Sequence, residues 1–552
     1  MTLSRYHEIL PELRRAFPMP EADPAQDSRL MSAISQALEQ IGARKGGGPF
    51  LGARLAHEVP DRTTARIRTA QIQTAQLRER TASLEQVTAE LVDSFDGVIL
   101  GGHANNQMNW IAQPSIASVI AVALSSLLSP NLCSEEAAGA VLAAERRAAA
   151  MVARIIGYDP QRSAGLFTFG GTGALLYGVK IGLEKAVPDC LRKGLHGDTV
   201  IVASDQSHSA CLNVAAWLGI GQDQVVKVPT HLDNSIDIAA IEATLHDTVT
   251  EGRKIAAIVA TMGTTDAFGI DDLSAMYAAR ERLVERHSLA YRPHIHADAV
   301  TGWAWCMFNG YDTTENPLGF TGRTTRAITT IIDRMQHLHL ADSVGVDFHK
   351  TGFAPYVSSL VSVRDSRDLK RLERSRDATP YLFHVGDDHP GRFTLETSRG
   401  AAGPLSALAS LLLLGREGFQ TLLGHSLEMA EFLRKQIDRR AGLTVLNGEN
   451  FGPVIALSVF PDSVDTATIN HRQRTDIRFR DVLLAHNRLN QQVYERMRHD
   501  ALTGQGVALG LTRCYRSTDY GEPIWALKSC VMSPFAEERQ IGQVVEQVLA
   551  AR

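Results

Sequence analysis

The run Leu166-Phe167-Thr168-Phe169-Gly170-Gly171-Thr172-Gly173-Ala174 passes from a short apolar segment through a glycine-rich turn into a stretch where Leu175, Val179 and Leu183 share one helical face. Comparable apolar runs follow at Thr199 to Ala203, at Ile255 to Ala260 and in the segment that ends at Asp298. Separations of a few dozen residues leave room for crossover helices between them. The predicted fold is therefore α/β, a mostly parallel central sheet with helices on both faces. Ligands of such sheets bind beyond the carboxyl ends of the strands, so the turns after these runs are where chemistry is expected.

Outward from this region the texture changes twice. Residues 1–100 read as a helical segment; in Ser83 to Val92 the apolar residues recur every three or four positions, a stripe that needs a partner surface. The Ala/Leu-rich stretch from Val119 to Ile156 predicts further helices, broken at Ser129-Pro130-Asn131. Residues 101–402 then form the large α/β domain and 403–552 a smaller α+β domain. In the latter, Leu405 to Leu414 and Glu537 to Ala551 read as helices, and Gly442 to Pro461 and Ala526 to Met532 as strands. The charged stretch Arg364 to Arg376 reads as a solvated helix or loop.

Composition narrows the function. With 44% hydrophobic and 21% charged residues, the chain of 552 residues has the balance of a soluble globular protein. A net charge of -5 argues against nucleic acid or an anionic membrane as the main partner, since both require a concentrated basic surface. The six cysteines have no zinc-type spacing and read as buried or incidental thiols. The first residues lack the apolar run of a signal peptide, and no run of about 18 apolar residues is present, so a cytoplasmic location is expected.

Four stretches carry candidate chemistry. Gly170 to Ala174 presents free N–H groups at a helix start, an anion site suited to phosphate, although such turns also occur without a ligand. Ser343 to Lys350 ends an apolar run on His349-Lys350; partial burial there would lower the amine's pKa, as a Schiff-base lysine requires, whereas most lysines are simply solvated. In His294-Ile295-His296-Ala297-Asp298 the alternate residues face one way. They could bind a metal as in a hydrolase, Asp298 alone could serve a protonated cofactor nitrogen, or Asp298 could merely cap a turn. His208, after the strand ending near Ser204, is either a hydrogen-bonding turn residue or a flat ring available to stack on a cofactor.

Taken in order, these pieces resemble the group II pyridoxal-5'-phosphate (PLP) dependent amino-acid decarboxylases, the family of the aromatic-amino-acid, glutamate and diaminobutyrate enzymes. The resemblance runs from about Gly102 through Arg399. It rests on the turn Gly170 to Ala174, on Asp205-Gln206-Ser207-His208, on Ala260-Thr261-Met262-Gly263-Thr264-Thr265, on His296-Ala297-Asp298-Ala299-Val300, and on Asp347-Phe348-His349-Lys350. It implies PLP fold type I, a homodimer with active sites near the subunit boundary and the N-terminal segment packed on the partner, and decarboxylation of an L-amino acid to an amine.

By the same resemblance, Lys350 carries the cofactor, Asp298 pairs with its ring nitrogen, His208 stacks on the ring, and Thr265 rather than Thr264 contacts it. Gly171, Thr172, Gly173 and His349 are the phosphate candidates. Asp347 is left out, because a carboxylate beside a phosphate is unfavourable. Tyr381 is the proton donor to the α-carbon, and His103, Asn109, Trp110 and Arg399 are substrate-side candidates, Arg399 alternatively a structural ion pair. Val300 stands where the family usually has alanine, which implies a tilted cofactor ring or a more crowded ring face, and the amide-rich segment Gly102 to Trp110 leaves the substrate open. Aldehyde-forming oxidative decarboxylation, another PLP-dependent lyase reaction, a non-catalytic PLP-binding protein and a metal-dependent hydrolase on His294, His296 and Asp298 are the alternatives.

Overall fold

The computed structural model describes residues 5–18, 24–52, 72–375, 377, 383–461 and 464–552. Its strands are β1 (Asn106–Gln107), β2 (Ala164–Thr168), β3 (Thr199–Ser204), β4 (Val225–Val228), β5 (Lys254–Thr261), β6 (His294–Asp298), β7 (Ser343–Asp347), β8 (Ser359–Val363), β9 (Leu443–Val445), β10 (Val454–Val459), β11 (Ala508–Ser517) and β12 (Pro523–Cys530). Seven of them form the main sheet in the order β2-β8-β7-β6-β5-β3-β4. The pairings β4-β3, β3-β5, β5-β6 and β6-β7 are parallel, and β8 runs antiparallel between β7 and β2. The expected mostly parallel sheet is therefore present, with one reversed strand that periodicity did not reveal.

Side chains alternate across this sheet as strand geometry requires. Val200, Val202, Ile258, Ile295, Ala297, Val344 and Val346 join the main core on one face. On the other face, Ile201, Ala203, Ala257 and Val259 pack under Leu175, Leu176 and Val179 of the helix Gly171–Ala186. That same face of β6 and β7 is polar. His294 Nε2 and His296 Nδ1 both lie 2.8 Å from Ser343 Oγ, and Asp298 and Asp347 complete the two rows at the strand ends.

The helix Gly171–Ala186 can lie this close because Gly178 has no side chain: a Cβ there would stand 2.2 Å from His296 Nδ1. Upstream, the helix Ile116–Leu128 stops at Ser129, whose φ of 46° begins the expected break before Pro130. The N-terminal region contributes helices Arg5–Arg14, Pro24–Ala43 and Leu84–Ser94.

The second sheet has the order β1-β11-β12-β10-β9. Its apolar face meets the helices Glu538–Ala550 and Arg480–Leu502 and the later half of Ala402–Ile437, which breaks direction at Gly415. β1 comes from the segment before Trp110, so the two sheets are stitched by distant parts of the chain. Lys528 Nζ lies 2.7 Å from Asp266 Oδ1, Ser529 donates to Gln107 Oε1, and the amides of Asn447 and Asn450 both donate to the Ala267 carbonyl. Five of the cysteines are buried and Cys514 is exposed. No helix among the described residues is long and apolar enough to cross a membrane.

Candidate active site

β7 ends at Asp347, and Phe348–Thr351 form a single helical turn. Residues three apart on a turn are neighbours, which brings Lys350 Nζ to 3.0 Å from Asp347 Oδ2. From β8, Ser359 Oγ donates to Asp347 Oδ1 at 2.6 Å, and His349 Nε2 lies 3.4 Å from Oδ2. Asp347 is therefore the buried anion on which the lysine and histidine converge. Phosphate chemistry alone would leave Asp347 out of the site; its i, i+3 spacing to Lys350 is the signal in the sequence that includes it. His349 is oriented by its Nδ1, which donates to the Ser358 carbonyl at 3.1 Å, and by the Tyr356 ring 4.2 Å away.

On the neighbouring strand Asp298 is 8% exposed, and its Oδ1 has no hydrogen-bond partner among the described residues. Burial pushes its carboxyl up, while Lys350 and His208 pull it down, Asp347 pushes it up, and the Val300 N–H pulls it down. A buried carboxylate with one orphaned oxygen calls for a cationic donor. A protonated pyridine nitrogen supplies one, and this is the observation by which the site fits PLP.

The glycine turn lies beside the same cluster. A Cβ on Gly171 would come within 2.9 Å of Val300 Cγ1 and 3.0 Å of Asp347 Oδ2. Thr168 Oγ1 donates to the Gly170 carbonyl and holds the turn, and the first helical bond runs from Ala174 N to Gly170 O. The N–H groups of Gly171, Thr172 and Gly173 thus precede the helical ladder, as donors at a helix start do. His208 is exposed; its Nδ1 accepts from the Ala210 N–H. In the following turn Thr264 is 2% exposed and its hydroxyl accepts from the Gly269 N–H at 2.8 Å. Thr265 is only half-buried.

Two substrate-side expectations are corrected. Arg399 is buried and forms an ion pair with Glu145, donating also to the carbonyls of Leu132 and Phe167. Of the two roles considered for it, the structural ion pair is the one present, because a guanidinium enclosed by these acceptors cannot reach a substrate. Trp110 is 3% exposed, packs against Phe268 and Trp305, and donates from Nε1 to the Thr265 carbonyl. Its indole thus holds the backbone of the Thr264-Thr265 turn. His103 is half-buried, with Nδ1 accepting from the Asn105 N–H, and Asn109 is exposed with a φ of 56°. Tyr381 lies outside the described residues.

The metal reading of β6 also fails. Lys185 Nζ lies 3.1 Å from His294 Nδ1, so a second cation at that ring would be repelled in a site that is fully buried.

Three comparisons bear on the whole arrangement. The L-2,4-diaminobutyrate decarboxylase of Rhizobium meliloti (strain 1021) is 26% identical over 320 residues, 57% of this chain and 57% of that protein. That of Acinetobacter baumannii is 24% identical over 416 residues, 72% of this chain and 69% of that protein. The chain thus spans little more than half the length of the first of these relatives. The fold matches the glutamate decarboxylase domain of a diaminobutyrate-pyruvate transaminase and L-2,4-diaminobutyrate decarboxylase from Vibrio parahaemolyticus. There the TM-score is 0.73 and the identity 18%, over 98% of both chains. The family described as the pyridoxal-dependent decarboxylase conserved domain matches residues 69–458, a span that contains the lysine, the buried aspartate and the glycine turn. On that match, the chain belongs to the pyridoxal-dependent decarboxylases.

Proposed function

We propose that the protein releases the α-carboxylate of an L-amino acid as CO2 and yields the corresponding amine. The observation that carries the reading is Asp298, a buried carboxylate with an orphaned oxygen one strand away from the Lys350-Asp347 pair. When bound there, PLP supplies an electron sink conjugated with the substrate nitrogen. Lys350 is assigned to hold the cofactor's carbonyl carbon. Asp347, hydrogen-bonded to Ser359, keeps the amine at that position. Asp298 would hold the proton on the ring nitrogen, His208 would cover one ring face, and the Thr265 hydroxyl would contact the cofactor. The N–H groups of Gly171, Thr172 and Gly173, with His349, would receive the phosphate.

The phenol of Tyr381 is assigned to return a proton to the α-carbon after CO2 leaves. His103 and Asn109 remain assigned to the substrate side. The protein is proposed to act as a homodimer in the cytoplasm. Support for the dimer comes from apolar residues left in the open on the helix Ile116–Leu128, among them Ile116, Ile120, Leu124 and Leu128. A panel of L-amino acids assayed for CO2 and amine with added PLP tests the reading. Release from one or a few is expected; a panel with no release, from protein that binds PLP, would overturn it.

A further inference from the structure

At the opposite end of the strands from Asp298 and Asp347, where β2, β6 and β7 begin and β8 finishes, lies a cavity of about 900 Å3. Its wall carries Arg162, Lys185, Arg292, Arg364, Arg367 and Arg371. None of them belongs to the active site, and they gather in a chain whose net charge is -5.

The carboxylates around the cavity are shared rather than matched one to one. Asp342 takes Arg364 on Oδ1 and the buried Arg280 on Oδ2, each at 2.6 Å. Asp368 takes Lys185 at 2.6 Å and Arg371 at 3.3 Å. Arg367 pairs with Asp365 and Arg292 with Glu281. Arg162 forms no ion pair among the described residues, although it is close enough to Asp365 to lower that carboxyl's pKa. With Arg280 counted, seven cations face five carboxylates, the fifth being Asp159 on the wall.

Two donors on the wall keep a hydrogen to offer a ligand. Tyr291 accepts from the Ile255 N–H through its hydroxyl oxygen at 2.8 Å, which leaves its O–H to donate elsewhere. Lys185 directs two of its three N–H groups at Asp368 and His294, and its 17% exposure is toward the cavity.

We infer that this cavity is a second ligand site that takes a small polyanion, a compound bearing two or three phosphate or carboxylate charges. Forked guanidinium donors and surplus positive charge select for such a group over a neutral molecule. The site is remote from the chemistry, so its occupant is an effector rather than a substrate.

The test is calorimetric titration of the PLP-saturated protein with pyrophosphate and, separately, with citrate, each against chloride at matched ionic strength. Saturation by at least one probe is expected, weakening as salt is raised. The double variant Arg162→Ala/Arg371→Ala removes exposed side chains away from the active site and should weaken that binding at least fivefold with the cofactor absorbance unchanged. Pyrophosphate binding alone identifies a phosphate-bearing ligand, and citrate binding alone a polycarboxylate. Failure of both probes to saturate above the chloride control, or a loss of less than fivefold in the variant, overturns the site.

Discussion

Lys350 and Asp298 make different demands on an experiment. Borohydride treatment of the PLP-loaded protein should fix the cofactor on Lys350 and on no other lysine, as read by peptide mapping; an adduct elsewhere would displace the whole assignment. Asp298→Asn keeps the shape of the side chain but removes the charge proposed to hold a proton on the ring nitrogen. Turnover should fall about a thousandfold, equivalent to about 4 kcal/mol in the barrier, with near-normal folding by circular dichroism. Near wild-type turnover would reduce Asp298 to a turn cap. Arg399 calls for the opposite result. Arg399→Met leaves Glu145 buried without its cation, which should cost about 3–5 kcal/mol in urea unfolding while leaving the KM of the folded enzyme unchanged. A raised KM without loss of stability would return Arg399 to the substrate side. These roles were unequally legible. Asp298 ends one strand and Lys350 follows another in a recognisable order, whereas Trp110 and Arg399 look equally suited to a pocket or a core until their partners 155 and 254 residues away are known.

Among the elements, the helix Gly171–Ala186 decides most, because it covers a polar face. Lys185 can only donate, so His294 accepts at Nδ1 and passes its own Nε2–H to Ser343, which donates in turn to His296 Nδ1. Gly178→Ala would drive a methyl into the His296 ring and should destabilise by about 1–3 kcal/mol, seen as a lower denaturation midpoint. An unchanged midpoint would show that the helix can lift off the sheet without cost. Burial holds the pKa of His294 well below its ordinary value and that of His296 down to about 3. The unfolded chain therefore takes up protons first as pH falls below about 6.5. Their contribution is complete above that pH and is lost toward pH 3, at up to about 1.4 kcal/mol per unit for His296. Buried Asp271, pushed up to about 7, acts oppositely between about 3.8 and 7, so the histidine is best read by difference. Between pH 6.5 and 4, His296→Gln should lose about 3 kcal/mol less stability than the wild type in denaturant titrations; parallel curves would mean the ring is charged in the folded protein.

At the scale of the molecule, the turn Gly263 to Ala267, which carries the proposed cofactor contact Thr265, is bonded to groups from distant parts of the chain. Trp110 donates to the Thr265 carbonyl, Lys528 pairs with Asp266, and Asn447 and Asn450 donate to the Ala267 carbonyl. The chain's order alone determined the α/β class, the strand-to-turn junctions and the residues placed at strand ends, because burial on both faces writes a parallel strand as an apolar run and the functional turns must follow it. Periodicity is blind to the direction of β8, whose run Ser359 to Val363 reads the same either way. It is equally blind to β1 joining the second sheet, to Asp347 as the lysine's counter-ion and to Arg399 closing on Glu145. Each of these depends on which distant groups meet in three dimensions. A buried charge is assigned its role by the partner that desolvation forces upon it, and only the tertiary structure supplies that partner.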